Sequence, residues 1–353
     1  METRNINPII TAIASYGMSG SIFHAPLLET HPGFDLHSVL QRNSDTAKEK
    51  YPNINIVHKF DDLLNDDKIE LIIINTPDNF HFEFAKLALN AGKHVVVEKP
   101  FTTTVEESNR LISLSKKKGK ILSVFQNRRW DGDFLTIQHV IQKRLLGRIV
   151  EFEAHFDRYR NYIQDSWKEN PDYHTGTLYN LGSHLIDQAL VLFGMPEAIL
   201  ADVRAMRTGS KVDDSFDIKM YYRDIKVTLK AGYLVREPGP RYMLHGTEGS
   251  YVKYGLDPQE ELLKSGKIPK DISWGKEPES DWGILHTTHN GKVTREKYET
   301  LAGNYNDFYS NIYDVLRFNK ELLVKPEQAQ DVIRIIEAAY RSSKQRKLIG
   351  LNN

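Results

Sequence analysis

The chain has 353 residues, no cysteine, and 47 Lys plus Arg against 47 Asp plus Glu. That length suits two domains, and the missing cysteine excludes disulfides, thiol nucleophiles and Cys-bound zinc. Balanced charge points away from nucleic acid and from anionic membrane surfaces, both of which call for a basic excess.

The first third alternates strand and helix patterns. Pro8 to Ala14 is an apolar strand followed at once by a glycine-bearing turn, and Phe34 to Leu40 is a second strand. Leu71 to Asn75 is too short an apolar run for a helix, whereas Phe84, Ala85, Ala88 and Leu89 within His81 to Ala91 recur at helical spacing. His94 to Val97 is the next strand. Thr104 with Glu107 forms a capping box, Gly119 stops the helix it opens, and Ile121 to Phe125 is again a strand. Strands alternating with helices predict a parallel sheet covered on both faces.

Beyond about residue 126 the texture changes. Val150, Phe152, Ala154 and Phe156 alternate with Glu151, Glu153, His155 and Asp157, the pattern of an antiparallel strand with one wet face. Hairpins are predicted over Phe216 to Leu234 and Arg241 to Tyr254, and helices over Leu178 to Phe193, Tyr305 to Asn319 and Glu327 to Arg346. Asp257 to Asp281, rich in Pro, Gly, Lys and Glu, reads as an exposed loop. The fold class is therefore α/β followed by α+β. Residues 1–125 form a Rossmann dinucleotide-binding domain, and 126–353 a domain built on a large, mainly antiparallel sheet for substrate and oligomerisation, its last helix packing back on the first domain. No apolar run reaches the roughly 18 residues of a membrane span, no signal-peptide pattern opens the chain, and a cytoplasmic location is expected.

Ser15-Tyr16-Gly17-Met18-Ser19-Gly20 follows the first strand. Glycines there let backbone approach a pyrophosphate at a helix N-terminus, although Ser15 stands where the fingerprint has its first glycine. At the end of the second strand comes Leu40-Gln41-Arg42-Asn43, with no carboxylate to hold a ribose 2′-hydroxyl. Arg42 instead suits a 2′-phosphate, so NADP is expected over NAD.

Asn75-Thr76-Pro77 with His81, Val97-Glu98-Lys99-Pro100, Gln126-Asn127-Arg128-Arg129-Trp130 and Leu181-Gly182-Ser183-His184-Leu185-Ile186-Asp187, in this order and spacing, resemble the Gfo/Idh/MocA oxidoreductases. The opening Gly17-Met18-Ser19-Gly20 with Phe23-His24-Ala25-Pro26-Leu27-Leu28 resembles the branch containing NADP-dependent scyllo-inositol dehydrogenases. This resemblance implies NAD(P) bound across the strand ends of the first domain. Ser15, Gly17, Met18, Ser19, Gly20, Gln41, Arg42, Asn75, Thr76, Pro77, His81, Glu98, Lys99, Pro100, Asn127 and Arg129 are the positions expected at the cofactor. It also implies a homodimer or homotetramer formed through the C-terminal sheet, and a Lys-Pro bond that is often cis.

Members of that family commonly use a lysine, an aspartate and a histidine four residues after the aspartate. Lys99 and His184 match two of them, and the aspartate position holds Asn180. An amide takes no proton but can hold a hydroxyl. His184 is therefore expected as general acid/base, Lys99 as donor to the substrate oxygen and possible proton relay, and Asn180 as a positioning group. Asp187, three residues on, is a candidate to orient the His184 ring. A sugar or polyol pocket calls for donors and aromatic walls, with Trp130, Tyr159, Arg160, Trp167 and Tyr305 as candidates beside Arg129. The histidines show no paired metal spacing and Asp213-Asp214 reads as a strand-start cap, so no metal is expected. The leading expectation is an NADP-dependent dehydrogenase or reductase of a polyol, inositol or sugar. A redox-assisted glycoside hydrolase that retains its cofactor and a non-enzymatic cofactor-sensing regulator are the alternatives.

Overall fold

The computed structural model describes residues 7–173, 175–289 and 291–351. Six strands, β1 (Ile9–Ile13), β2 (Phe34–Leu40), β3 (Asn55–Val57), β4 (Leu71–Ile74), β5 (His94–Val97) and β6 (Leu122–Val124), alternate with helices α1 (Ala25–Thr30), α2 (Ala47–Lys50), α3 (Phe60–Leu64), α4 (His81–Asn90) and α5 (Val105–Lys118). The strands pair in parallel in the order β3-β2-β1-β4-β5-β6. Every residue of β4 is buried, as a central parallel strand requires. The Thr104 hydroxyl accepts from the Glu107 amide at 3.2 Å. Glu107 closes the cap on Thr103 rather than on Thr104, accepting from the Thr103 amide at 3.1 Å. Gly119 ends α5 in the left-handed region at φ 61°, which costs glycine no Cβ clash.

The second sheet has nine strands: β7 (Ile149–His155), β8 (Ala198–Arg204), β9 (Ser215–Tyr221), β10 (Lys226–Gly232), β11 (Tyr242–Gly246), β12 (Gly249–Lys253), β13 (Gly283–His289), β14 (Lys292–Tyr298) and β15 (Ile349–Gly350). Their order is β14-β13-β12-β11-β7-β10-β9-β8-β15. Both predicted hairpins are present as β9–β10 and β11–β12. β7 differs from expectation on one side: it runs antiparallel to β11 but parallel to β10. Its inward residues Phe152, Ala154 and Phe156 are at most 1% exposed. The remaining helices are α6 (Gly132–Gln142), α7 (Ser183–Phe193), α8 (Gln259–Lys264), α9 (Asn306–Phe318) and α10 (Pro326–Gln345). Helix α7 is preceded by a wider-wound turn, Leu178–Gly182, and Gly194 stops it. The expected exposed loop 257–281 is corrected in part, because it carries α8 and buries Asp257, Gln259 and Leu263. No helix among the described residues is long and apolar enough to cross a membrane.

The chain divides into two compact units whose segments alternate: 1–127, 259–274 and 304–330 in the first; 128–258, 275–303 and 331–353 in the second. A single cut at residue 125 therefore misses two returns of the chain. The start of the last helix belongs to the first unit, with Gln330 donating to Ser108 at 3.2 Å and to Asn109 at 2.8 Å, and so does the whole of helix α9. Helix α9 is fastened there by Arg317, whose guanidinium makes two bonds to the Glu70 carboxylate at 2.8 and 2.7 Å, and by Asn306, which donates to the Thr30 hydroxyl at 3.1 Å.

On the wet face of β7 the His155 ring lies between two carboxylates, 2.7 Å from Glu153 Oε1 and 3.0 Å from Asp157 Oδ2. Burial alone would lower the His155 pKa, but the two carboxylates outweigh it and raise the value. A group raised in the folded state stabilises fully below its unfolded pKa and loses that contribution as pH rises through the folded value. His155→Ala should therefore lower the melting temperature more at about pH 6 than at about pH 9, with the unfolded reference near 6.5. Equal losses at both pH values would contradict the clamp.

Candidate active site

In the first unit the chain leaves β1 and turns through Ser15 to Gly20 beside β4, where the strand order reverses. Such a reversal leaves a crevice at the strand ends of an open α/β sheet. The Asn75 amide donates to the Ser15 carbonyl at 2.8 Å and holds the turn against the end of β4. A Cβ on Gly20 would collide with that same carbonyl, so the turn admits only glycine. A wide-wound segment, Ser19–His24, then runs directly into α1. Asn75 Oδ1 and Thr76 Oγ1 are buried without a hydrogen-bond partner among the described residues. Unmet polar atoms beside such a turn mark a place for a polar ligand.

At the end of β2 the two adjacent candidates part company. Gln41 is buried, and its amide is used locally: Nε2 donates to Ser44 and Thr46 at 2.9 Å each, and Oε1 accepts from the Ala47 amide at 2.9 Å. The side chain thus fastens the turn. Arg42 is exposed and makes no ion pair among the described residues. His81 also serves the backbone. It is fully buried, with Nδ1 2.8 Å from the Pro100 carbonyl and Nε2 3.0 Å from the Thr76 carbonyl, so it ties two backbone segments together. The Lys99-Pro100 bond is cis. Met18 is 55% exposed, Pro77 half-buried and Asn127 buried.

Glu98 sits at the end of β5, largely buried. Its Oε1 accepts from Ser19 Oγ at 2.5 Å and from His24 Nε2 at 3.0 Å, and its Oε2 accepts from the Lys99 amide at 2.9 Å. Burial would raise its pKa, but His24, Ser19 and Lys99 together pull it down to about 2. His24 Nδ1 lies 2.6 Å from the Tyr309 hydroxyl on α9. Neither His24 nor Tyr309 was singled out by sequence for this place; the available signal was a histidine four residues after Gly20, on the helix that the glycine turn opens.

In the second unit the wide turn before α7 is anchored by Asp213. Its carboxylate accepts from the Leu178 amide at 2.8 Å and from the Tyr340 hydroxyl at 2.5 Å. Asp214 binds the Met206 and Arg207 amides and the Arg207 guanidinium, so both carboxylates fasten backbone turns. Asn180 is half-buried on the wide turn, and His184 is 5% exposed on the first turn of α7. The His184 ring lies 6.4 Å from that of Phe156. Guanidinium groups of Arg241, Arg128 and Arg158 surround Phe156 at 4.4, 4.9 and 5.2 Å from its centroid.

Asp187 does not orient His184 as expected. Both its oxygens bind Arg129, at 2.8 Å from Nε and 2.7 Å from Nη2, and this bidentate pair is nearly buried. Arg129 Nε and Nη2 thereby hold α7 to the segment beside Trp130. Tyr159 is 40% exposed beneath the Arg236 guanidinium at 4.0 Å, and Arg160 reaches Gln164 at 3.3 Å. Trp130 and Trp167 are half-buried. Tyr305 is fully buried in the first unit, where its ring lies 6.4 Å from Phe23.

With this geometry in place, comparisons with known proteins are informative. Residues 10–126 match the oxidoreductase family NAD-binding Rossmann fold, and residues 139–351 match the oxidoreductase family C-terminal alpha/beta domain. The chain belongs to the Gfo/Idh/MocA oxidoreductase family. It is 40% identical to the scyllo-inositol 2-dehydrogenase (NADP+) IolW of Bacillus subtilis, covering 99% of this chain and 98% of that one. A putative oxidoreductase from Bacteroides fragilis shares 51% identity and a TM-score of 0.91, covering 98% of this chain and all of the other. The putative oxidoreductase YvaA of Bacillus subtilis is 40% identical with a TM-score of 0.95, over 99% and 100% of the two chains.

The first unit fits the dinucleotide that the family binds. The Gly20 turn leaves room for a pyrophosphate, Asn75 and Thr76 carry polar atoms unmet among the described residues, and Arg42 offers an exposed cation. Gly20→Ala should weaken nicotinamide dinucleotide binding by at least about tenfold while leaving the fold intact, because the new Cβ must displace backbone at the turn. Fluorescence titration with circular dichroism checks it; unchanged affinity would contradict the assignment.

Proposed function

We propose that this oxidoreductase uses NADP in preference to NAD and moves a hydride between the nicotinamide and a secondary alcohol or ketone of an inositol, sugar or polyol. One observation carries the cofactor choice. At the end of β2, Gln41 is locked into the turn and Arg42 is the exposed charge, with no carboxylate beside it in Leu40-Gln41-Arg42-Asn43. A permanently charged planar guanidinium pairs well with a 2′-phosphate. The 40% identity to a scyllo-inositol 2-dehydrogenase (NADP+) supports both cofactor and substrate class.

The nicotinamide, when bound, accepts or supplies the hydride. The chain has to manage the proton and the substrate oxygen. Lys99 serves as the positive donor to that oxygen, a role helped by a backbone amide already fixed on Glu98. His184 serves as general acid/base, because an imidazole can take and return a proton near neutral pH. Asn180, in place of a carboxylate, holds a substrate hydroxyl without entering the proton path. Trp130, Tyr159, Arg160, Trp167 and Tyr305 are the candidates for the substrate pocket.

Two measurements test this. Arg42→Ala should weaken NADPH binding by about tenfold or more and leave NADH nearly unchanged, since a charge-assisted bond to phosphate is lost only with the former. Wild-type protein that binds NADH more tightly than NADPH would sink the cofactor choice. With scyllo-inositol and NADP, Lys99→Ala and His184→Ala should each lower kcat by roughly a hundredfold or more. Near-wild-type turnover in His184→Ala would remove its role as acid/base.

A further inference from the structure

The Ser19, His24, Glu98 and Tyr309 cluster lies wholly within the first unit and joins three elements distant in sequence: the glycine turn, the end of β5 and α9. We propose that His24 and Tyr309 are positioning residues, a hydrogen-bonded relay that fixes the Glu98 carboxylate so that it holds the Ser19 end of the cofactor turn and the Lys99 backbone in one geometry. The inference rests on the oxidoreductase reading of Lys99 given above.

Proton placement along the relay follows from the acceptors. An ionised Glu98 only accepts, so the proton on His24 Nε2 points at it, 3.0 Å away. In the neutral ring Nδ1 is then the acceptor, and Tyr309, 2.6 Å away, donates its O–H. Tyr309 is suited to that, because burial first and the neighbouring Glu98 second hold its hydroxyl protonated. The surroundings are apolar and rigid. His24 and Tyr309 are fully buried, and the Phe125 ring lies 4.5 Å from His24 and 5.8 Å from Tyr309. Helix α9 cannot drift, since Arg317 and Asn306 pin it at both ends. Each carboxylate oxygen has a separate duty: Oε1 takes both side-chain donors, Ser19 and His24, while Oε2 takes the Lys99 amide. Rotation of the carboxylate would break all three bonds together. Charged or titratable groups facing it are His24, Lys99 and, through His24, Tyr309.

A purely structural role would show in stability alone, and the relay requires more. His24→Leu removes a donor to a largely buried carboxylate, so the NADPH dissociation constant should rise about tenfold and kcat with scyllo-inositol and NADP should fall about tenfold, with KM for inositol nearly unchanged. Tyr309→Phe should give a smaller effect in the same direction, and His24→Gln, which keeps a donor, should recover most of both losses. NADPH binding by fluorescence is read without turnover, so it decides the relay independently of substrate choice. Wild-type NADPH affinity and kcat in folded His24→Leu or Tyr309→Phe would overturn the proposal. Lys99→Ala serves as the control: full turnover there would overturn the role of Lys99 itself, while the NADPH titrations of the other variants would still decide whether the relay holds the cofactor turn.

Discussion

A carboxylate withdrawn from water must be met by donors, and Glu98 meets this constraint with groups brought from across the first unit. An unmatched buried charge costs far more than a hydrogen bond returns. The fold has to deliver Ser19 from the glycine turn, His24 from the helix that follows it, and the Lys99 amide from the next bond in the chain. Behind them, α9 supplies Tyr309 from more than two hundred residues away. The parallel sheet order places β1, β4 and β5 side by side, so that their ends converge on this carboxylate. Once these donors are in place, the turn at Gly20, the Lys99 backbone and the buried rings around Phe125 have few other arrangements open to them.

The second unit solves a comparable problem with different means. Helix α7 carries Asn180 just before it and His184 within it, and its position is set by the bidentate Arg129–Asp187 pair and by Gln188, which donates to the Arg128 carbonyl at 3.0 Å and accepts from Tyr242 at 2.7 Å. These polar contacts are nearly buried and well paired, which is the condition under which they specify one arrangement. His184 thus stands on a helix whose register is fixed from two sides.

Much of the fold was legible because local signals agreed. The bounds of β2 and β5 were read from their apolar runs, and α5 from its cap at Thr104 and its stop at Gly119. What could not be read was pairing between distant segments. The alternation in β7 shows a strand with one wet face, yet nothing local says that β10 lies beside it in parallel. Strand β14 carries no local signal, since it is half-buried at best and shows no apolar periodicity. The same limit hid the return of α9 to the first unit. At the candidate site, residue types nominate Lys99, Asn180, His184 and the glycine turn. Side-chain direction did not follow from type: Gln41 folds back on its own turn, His81 ties backbone carbonyls, and Arg129 spends its donors on Asp187.

The central claim is direct hydride transfer from a ring carbon to NADP, and isotope transfer tests it most directly. scyllo-Inositol deuterated at its ring carbons is incubated with the protein and NADP, and the reduced cofactor is analysed by mass spectrometry. The account predicts NADPH one mass unit heavier, with the label on the nicotinamide ring and none in a Lys99→Ala control. Ketone product accompanied by unlabelled NADPH, or no reduction of NADP by any inositol, sugar or polyol tested, would contradict it.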